Sequence, residues 1–230
     1  GKTTLLNHIL SNKLNLRVTC FVNDLAALNS DADVLVQSDE AARTIKLSNG
    51  CACHSLIGDL EAGMWQVLQD TDGTDRVDYL IIETSGVVAD PSSIVQSLER
   101  RYGKLTRARL DGVVCVLDAD VLAHKLAGAS DASAEPFIGC ATGACPSASG
   151  KADDDEVTAS RLLQAADPSL WAQLQYADTV LLNKVDLLSG GTEEANRLSE
   201  LLQLALPWAR IFPCQRGELP LHLLLNVEYE

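Results

Sequence analysis

The chain has 230 residues, 47% of them hydrophobic, which is enough apolar material for one sizeable core. Its 32 acidic residues outnumber its 18 basic residues and give a formal charge of −14. This charge disfavours binding to nucleic acid phosphates and to anionic lipid, so we expect neither nucleic acid nor a membrane as a partner.

No apolar run reaches the roughly 18 residues that a membrane-spanning helix needs. The seven cysteines lack the spacing of a disulfide framework, which fits a reducing compartment. These features predict a soluble protein, with the cytoplasm as the expected location. Because the chain opens directly on a motif at Gly1, an organelle is the alternative.

Apolar runs alternate with stretches of helical periodicity, which predicts β-α units around a mostly parallel sheet flanked by helices. The predicted strands are Arg17–Asn23, Thr44–Leu47, Val77–Glu83, Gly112–Leu117, Thr179–Asn183 and Arg210–Pro213. The predicted helices are Thr3–Leu14, Ser55–Gln69, Pro91–Arg101, Ser160–Gln173 and Glu193–Leu204. The segment from about Ala127 to Glu156 loses hydrophobic periodicity and is rich in Ala, Ser, Gly and Asp, so we predict a mobile surface insertion there.

The first four residues, Gly1-Lys2-Thr3-Thr4, have the form of the second half of a phosphate-binding loop that runs into a helix. In such a loop glycine lets backbone N–H groups approach phosphate, Lys2 can reach the β- and γ-phosphates, and the Thr3 hydroxyl can bind Mg²⁺. The strand and the glycine-rich approach of the loop would precede Gly1. For this motif alone, an ordinary lysine in a first helical turn is the alternative.

A second motif, Asn183-Lys184-Val185-Asp186, directly follows an apolar strand. The Asp186 carboxylate can accept hydrogen bonds from the guanine N1–H and exocyclic amine, whereas adenine presents an acceptor at N1. A site built in this way discriminates strongly against an analogue that lacks the donors, so the motif predicts GTP rather than ATP. The alternative is a polar turn that closes a strand.

A third motif, Glu83-Thr84-Ser85-Gly86, ends the most apolar predicted strand. Glu83 can reach the Mg²⁺ shell or orient the attacking water, and Gly86 permits backbone approach to a γ-phosphate. Ligands of open α/β sheets gather at such carboxyl ends. A strand-terminating acid and a turn glycine would be the alternative, but Lys2, Glu83 and Asp186 in this order predict one nucleotide site.

Two thiols and an imidazole lie within four residues in Cys51-Ala52-Cys53-His54, directly after Asn49-Gly50. Thiolate and imidazole ligands suit Zn²⁺ and can also accept Co²⁺ or Ni²⁺. A fourth ligand from water, another loop or a partner would leave the metal exchangeable. The alternative is a pair of small buried cysteines with an incidental His54.

Together these motifs resemble the CobW-type branch of the CobW/HypB/UreG metallochaperone GTPases. The resemblance rests on Gly1–Asn7, Val22-Asn23-Asp24, Leu47–Cys53, Glu83–Gly86 and Asn183–Asp186. It covers nearly the whole chain apart from the predicted insertion. It implies one P-loop G domain over residues 1–230 that lacks its first strand and the start of its phosphate loop, with the family's C-terminal CobW domain absent.

The resemblance further implies Mg²⁺-dependent GTP hydrolysis coupled to delivery of a metal, zinc or alternatively cobalt, to a client metalloprotein. Asp24 stands where the family carries an acidic switch residue, and Asp31 follows in the same segment. Each is a candidate ligand of Mg²⁺ or of the transported metal, or a solvated loop acid. His54 replaces the third cysteine of the family's Cys-x-Cys-Cys motif, which is expected to weaken the site or shift its metal preference.

Two other functions stay open at this stage, together with assembly into a homodimer. One is a non-catalytic metal-binding or scaffold protein on a degenerate G domain, which guanine-nucleotide binding would exclude. The other is a P-loop kinase of a small molecule, which has no need to select guanine. Competition between GTP and ATP separates the kinase from the GTPase.

Overall fold

The computed structural model describes residues 1–11, 16–22, 42–46, 53–70, 77–84, 91–99, 108–132 and 152–225. The chain divides into two compact units. The amino-terminal unit comprises Lys2–Asp111 with Pro220–Glu230, and the carboxy-terminal unit comprises Gly112–Leu219 with Gly1. Each unit contains a parallel three-stranded sheet, so the predicted α/β class with parallel strands is confirmed.

The amino-terminal unit has its strands in the order β2-β1-β3. Its elements are α1 (Lys2–Leu10), β1 (Val18–Val22), β2 (Ala42–Lys46), α2 (Cys53–Asp70), β3 (Tyr79–Glu83) and α3 (Ser92–Glu99). The central strand β1 is buried along its whole length, as a parallel strand covered on both faces should be. Val22 pairs with both Lys46 and Glu83, so the three strands end level at one edge of the sheet.

Helix α2 packs against β1 through one face. Leu60, Met64 and Val67, spaced at helical intervals, are buried in one cluster with Phe21 of β1. A Cβ placed on Gly63 would lie 2.8 Å from Cε1 of Phe21, a distance that carbon atoms do not tolerate. Glycine at position 63 therefore allows α2 to lie close to the phenyl ring.

The carboxy-terminal unit has its strands in the order β4-β5-β6. Its elements are β4 (Val114–Asp118), α4 (Ala119–Ala132), α5 (Ala152–Ala166), α6 (Pro168–Leu174), β5 (Thr179–Asn183), α7 (Gly191–Ala205) and β6 (Arg210–Cys214). Strand β5 has the bounds predicted from the sequence, and Val180, Leu181 and Leu182 are fully buried. Asn183 pairs with Asp118 on one side and with Cys214 on the other.

The prediction of one helix over Ser160–Gln173 is wrong, because α5 ends at Ala166 and α6 begins at Pro168. Proline lacks the N–H that would continue a helix, and it favours the first helical position. The Asp167 side chain accepts hydrogen bonds from the N–H groups of Ser169 at 3.1 Å and Leu170 at 3.0 Å. Asp167 is therefore the N-cap of a new helix.

The ends of the segment 127–156, which was predicted as a mobile insertion, are helical, since α4 continues to Ala132 and α5 starts at Ala152. Helix α4 itself was not predicted. Leu122 of α4 and Leu163 of α5 are buried in the same core cluster, so tertiary packing stabilises both helices. Residues 133–151 lie outside the described residues.

The two units share one local arrangement at the amino ends of their strands. In the amino-terminal unit, Asp78 accepts a hydrogen bond from the N–H of Arg17 at 2.9 Å. In the carboxy-terminal unit, Asp178 accepts one from the N–H of Val113 at 2.7 Å. Each aspartate thus ties the residue before one strand to the start of the neighbouring strand.

Replacing Asp178 with alanine should lower the free energy of unfolding by about 1 kcal/mol, because the Val113 N–H loses its carboxylate acceptor. Urea unfolding followed by circular dichroism measures this loss. Asp178→Asn is the control, since its amide oxygen can still accept the bond and should retain most of the stability. An equal loss in both variants would contradict this role of the side-chain oxygen.

Among the described helices, none has both the length and the apolar content required to cross a membrane.

Candidate functional site

The motif that begins at Asn183 lies at the carboxyl end of the central strand β5. The Asn183 side chain is buried, with 2% of the residue exposed. Its Oδ1 accepts a hydrogen bond from the N–H of Gly217 at 3.0 Å and lies 3.7 Å from the Sγ of Cys214, which donates to it. Asn183 therefore holds the turn that follows β6.

This turn spans Gln215–Glu218 and is closed by an antiparallel bridge between its end residues. Arg216 and Gly217 both have positive φ angles, 52° and 67°, as the two central residues of a tight turn of type I′ require. Gly217 is buried and Arg216 is exposed. The turn was not predicted, although a glycine after an apolar strand is a signal for one.

Lys184 adopts the left-handed conformation, with φ 63° and ψ 33°. This turn of the backbone leads into a short 3₁₀ helix at Val185–Leu187, in which the N–H of Leu187 donates to the Lys184 carbonyl at 3.0 Å. Asp186 is exposed within this helix. An exposed carboxylate directly after the buried end of β5 is the arrangement that recognition of guanine donors requires.

The Lys184 ammonium forms an ion pair with Asp118, with 2.5 Å between Nζ and Oδ2. Burial acts to raise the pKa of the Asp118 carboxyl, but the Lys184 hydrogen bond, two backbone N–H groups and the Lys184 charge together hold it below its usual value. The same hydrogen bond raises the pKa of Lys184. Both groups are therefore charged at neutral pH. The sequence alone does not single out Asp118.

Gly1 belongs to the same unit as this motif. A Cβ placed on Gly1 would lie 3.9 Å from Nδ2 of Asn183 and 3.9 Å from Cγ1 of Val116 on β4. The structure thus brings the predicted phosphate-loop glycine next to the first residue of the predicted guanine motif.

The other predicted phosphate-loop residues form the first turn of α1, which begins at Lys2. Lys2 and Thr4 are exposed and Thr3 is half-buried. The first N–H groups of a helix have no partner within the helix, and they favour an anion. Lys2 and Asp186 belong to different units, so their convergence on one nucleotide stays a prediction.

Glu83 is the last residue of β3 and is half-buried. Burial, assisted by the charge of Glu83, raises the pKa of Cys20 to about 12. Cys20 therefore remains a protonated thiol in the core at any physiological pH. This environment supports packing rather than metal binding at Cys20.

The predicted metal segment lies partly outside the described residues. Strand β2 ends at Lys46 and α2 begins at Cys53, so Cys53 and His54 belong to the first turn of α2, whereas Cys51 is not described. Within the ranges that are described, no group of three or more His, Cys, Asp or Glu side chains is arranged to hold a metal ion. Three other predicted site residues also fall outside these ranges: Asp24, Asp31 and Gly86.

Residues 1–212 match the family model of the CobW/HypB/UreG nucleotide-binding domain. Among curated relatives, the zinc chaperone CobW of Pseudomonas aeruginosa is 31% identical over 239 residues, covering 100% of this chain and 57% of that protein. The zinc chaperone YjiA of Escherichia coli is 28% identical over 227 residues, covering 98% and 57%. Zinc-regulated GTPase metalloprotein activator 1 of Dictyostelium discoideum is 26% identical over 242 residues, covering 98% and 46%. The chain thus spans about half the length of these relatives.

Two solved structures have the same fold. The Zn(II)-bound YjiA GTPase of E. coli superposes with a TM-score of 0.54 at 22% identity, over 98% of this chain and 57% of that one. HypB of Helicobacter pylori in complex with nickel gives 0.51 at 20% identity, over 95% and 74%. With the family match over residues 1–212, the chain belongs to the CobW/HypB/UreG family of nucleotide-binding domains.

Proposed function

We propose that this protein binds GTP, hydrolyses it with the help of Mg²⁺, and uses the cycle to deliver a transition metal to a client metalloprotein. Zinc is the expected cargo and cobalt the alternative. The observation that carries the proposal is the end of β5, where buried Asn183 anchors a neighbouring turn and exposed Asp186 follows in a 3₁₀ helix. Relatives that are named as zinc chaperones and as a zinc-regulated GTPase activator support the choice of cargo.

Guanine recognition is assigned to the carboxy-terminal unit. Asp186 would accept the two guanine donors, and Asn183 and Lys184 would set the position of the loop. Gly1 would let backbone approach the phosphates, because it carries no side chain. Because Asp186 is exposed, its carboxylate is able to accept hydrogen bonds from the base.

Phosphate and Mg²⁺ binding is assigned to the amino-terminal unit. Thr3 in the first turn of α1 and Glu83 at the end of β3 would supply oxygen ligands, the kind that Mg²⁺ prefers. Bound Mg²⁺ would neutralise charge that develops on the phosphates. Lys2 and Thr4 would contact phosphate. Three further residues in the proposal lie outside the described ranges. Asp24 and Asp31 would be the acidic residues of the switch segment, and the backbone of Gly86 would contact the γ-phosphate.

The cargo is assigned to Cys51, Cys53 and His54, whose thiolate and imidazole donors suit zinc. The proposed switch segment, residues 24–38, lies between β1 and β2 in the chain, and the cargo segment lies between β2 and α2. Strand β2 therefore connects the two directly, and order in the switch would be transmitted to the cargo ligands over a short path. Cys20, Cys115 and Cys214 are free thiols, which fits the cytoplasm as the proposed compartment.

The coupling predicts that zinc affinity depends on the bound nucleotide. In the full-length protein, we expect Zn²⁺ to bind roughly tenfold more tightly with a non-hydrolysable GTP analogue than with GDP, a size typical of coupled sites. Competition with a chromophoric chelator measures both affinities. Equal affinities would contradict the coupling.

Controls separate the proposal from its alternatives. Cys53→Ser should weaken zinc binding in both nucleotide states, because an alcohol replaces a thiolate ligand. A protein that binds zinc but no guanine nucleotide would be a scaffold on a degenerate G domain. ATP competing as well as GTP would instead favour a small-molecule kinase.

A further inference from the structure

Asp118 uses its two carboxylate oxygens for two different contacts. Its Oδ2 accepts a hydrogen bond from the Lys184 ammonium at 2.5 Å. Its Oδ1 accepts one from the N–H of Val121, in the first turn of α4, at 3.4 Å. Since Asp118 is the last residue of β4 and pairs in register with Asn183, one side chain joins the end of β4, the start of α4 and the loop after β5.

The backbone conformation of Lys184 is one that a contact of its side chain can help to hold. A positive φ of 63° is unfavourable for a residue with a Cβ, and such conformations persist where the surroundings hold them. At Lys184 this conformation redirects the chain from buried Asn183 into the 3₁₀ helix that exposes Asp186. The contact with Asp118 ties the side chain of the strained residue to the neighbouring strand.

The ion pair between Asp118 and Lys184 is partly shielded from solvent, which strengthens it. The Asp118 side chain is 29% exposed and the Lys184 side chain 42% exposed, so both are partly shielded from solvent. Partial shielding makes an ion pair stronger than one at the open surface. Asp118 is also held by a backbone N–H of α4, so it offers the ammonium a fixed acceptor.

Building on the guanine-nucleotide binding proposed above, we propose that Asp118 is a positioning residue for guanine recognition. It holds Lys184, and through Lys184 the loop that presents Asp186, in the arrangement that binds the base. Asp118 acts through the lysine and needs no contact with the nucleotide.

The test separates the helix-capping contact of Asp118 from its contact with Lys184. Serine caps a helix about as well as aspartate, but its short hydroxyl cannot replace the carboxylate that holds the ammonium. In the full-length protein, Asp118→Ser should leave the urea midpoint near that of the wild type and raise the Kd of GDP about tenfold. Asp118→Ala should lower the midpoint as well as the affinity. Asp118→Thr, which also caps through a short hydroxyl, serves if the serine variant does not fold.

Whether Asp118 acts through Lys184 is tested by introducing the same substitution into a variant that lacks the lysine ammonium. Lys184→Met retains the aliphatic stem and removes the ammonium, so adding Asp118→Ser to it should change the Kd of GDP by less than about twofold. An unchanged Kd in Asp118→Ser would overturn the proposal. The same fold-change in both backgrounds would also overturn it, because Asp118 would then act without Lys184.

A measurement without nucleotide keeps the two proposals apart. The Leu187 N–H donates to the Lys184 carbonyl, so its hydrogen exchange reports the loop directly. Asp118→Ser should speed this exchange several-fold relative to that of Leu182, inside β5. A wild-type protein that binds no GDP would end the proposed function, whereas unchanged exchange at Leu187 would end the positioning role of Asp118.

Discussion

Replacing Asp186 with asparagine should weaken GDP binding by at least about a hundredfold, because the side-chain amide cannot accept both guanine donors. Xanthine offers the N1–H donor and a carbonyl acceptor at position 2, which match the oxygen and the NH₂ group of asparagine. The variant should therefore bind xanthosine diphosphate more tightly than the wild type does. Titration calorimetry with the two diphosphates in the full-length protein measures this reversal.

Glu193→Gln is the matched control, since it also neutralises one exposed carboxylate in the carboxy-terminal unit, in the first turn of α7. We expect it to leave both affinities unchanged. If Asp186→Asn and Glu193→Gln bound GDP equally well, Asp186 would not read the base.

In α2, alanine at position 63 should destabilise the protein, whereas alanine at position 58 should stabilise it. A Cβ at Gly63 meets Phe21 at 2.8 Å, and Phe21 is fully buried, so the helix or the ring must shift. Overpacking of this kind costs about 1–3 kcal/mol. Alanine also gains about 1 kcal/mol of helix propensity over glycine, and this gain applies equally at both positions.

Gly58 provides the matched control in the same helix, because no described atom lies within 4 Å of the Cβ that alanine would add there. The unfolding free energies of Gly63→Ala and Gly58→Ala should therefore differ by about 1–3 kcal/mol, as measured by urea unfolding. Equal unfolding free energies of the two variants would contradict this prediction, because they would show that α2 accommodates the methyl group at position 63 without loss of stability.

Strands β1, β3, β4 and β5 could be predicted because their apolar runs are nearly continuous. Thr179–Asn183 was predicted with its observed bounds, since a strand buried on both faces carries its signal in its own residues. Helix α4 and the first half of α5 lack such a signal. Their Ala- and Asp-rich ends are helical because Leu122 and Leu163 pack into a common core, and the sequence does not show which segments meet.

The same distinction separates the parts of the site. Asn183, Lys184 and Asp186 are adjacent in the chain, so the motif could be recognised without coordinates. Asp118 lies far from Lys184 in sequence and joins it only through the parallel register of β4 and β5. The buried contact between Asn183 and Gly217 depends on register in the same way.

Asp78 and Asp178 each fasten the beginning of a strand pair, at the rim of the sheet opposite to the residues assigned to nucleotide. In each sheet, the carboxyl ends of the strands are assigned to nucleotide binding, whereas the aspartate contacts join the strands at their amino ends. If nucleotide binds as proposed, its exchange would affect the carboxyl ends of the strands, while the aspartate contacts at the other ends would preserve the strand alignment. Such a division would suit the proposed GTPase cycle, because the strands would keep their register from one round to the next.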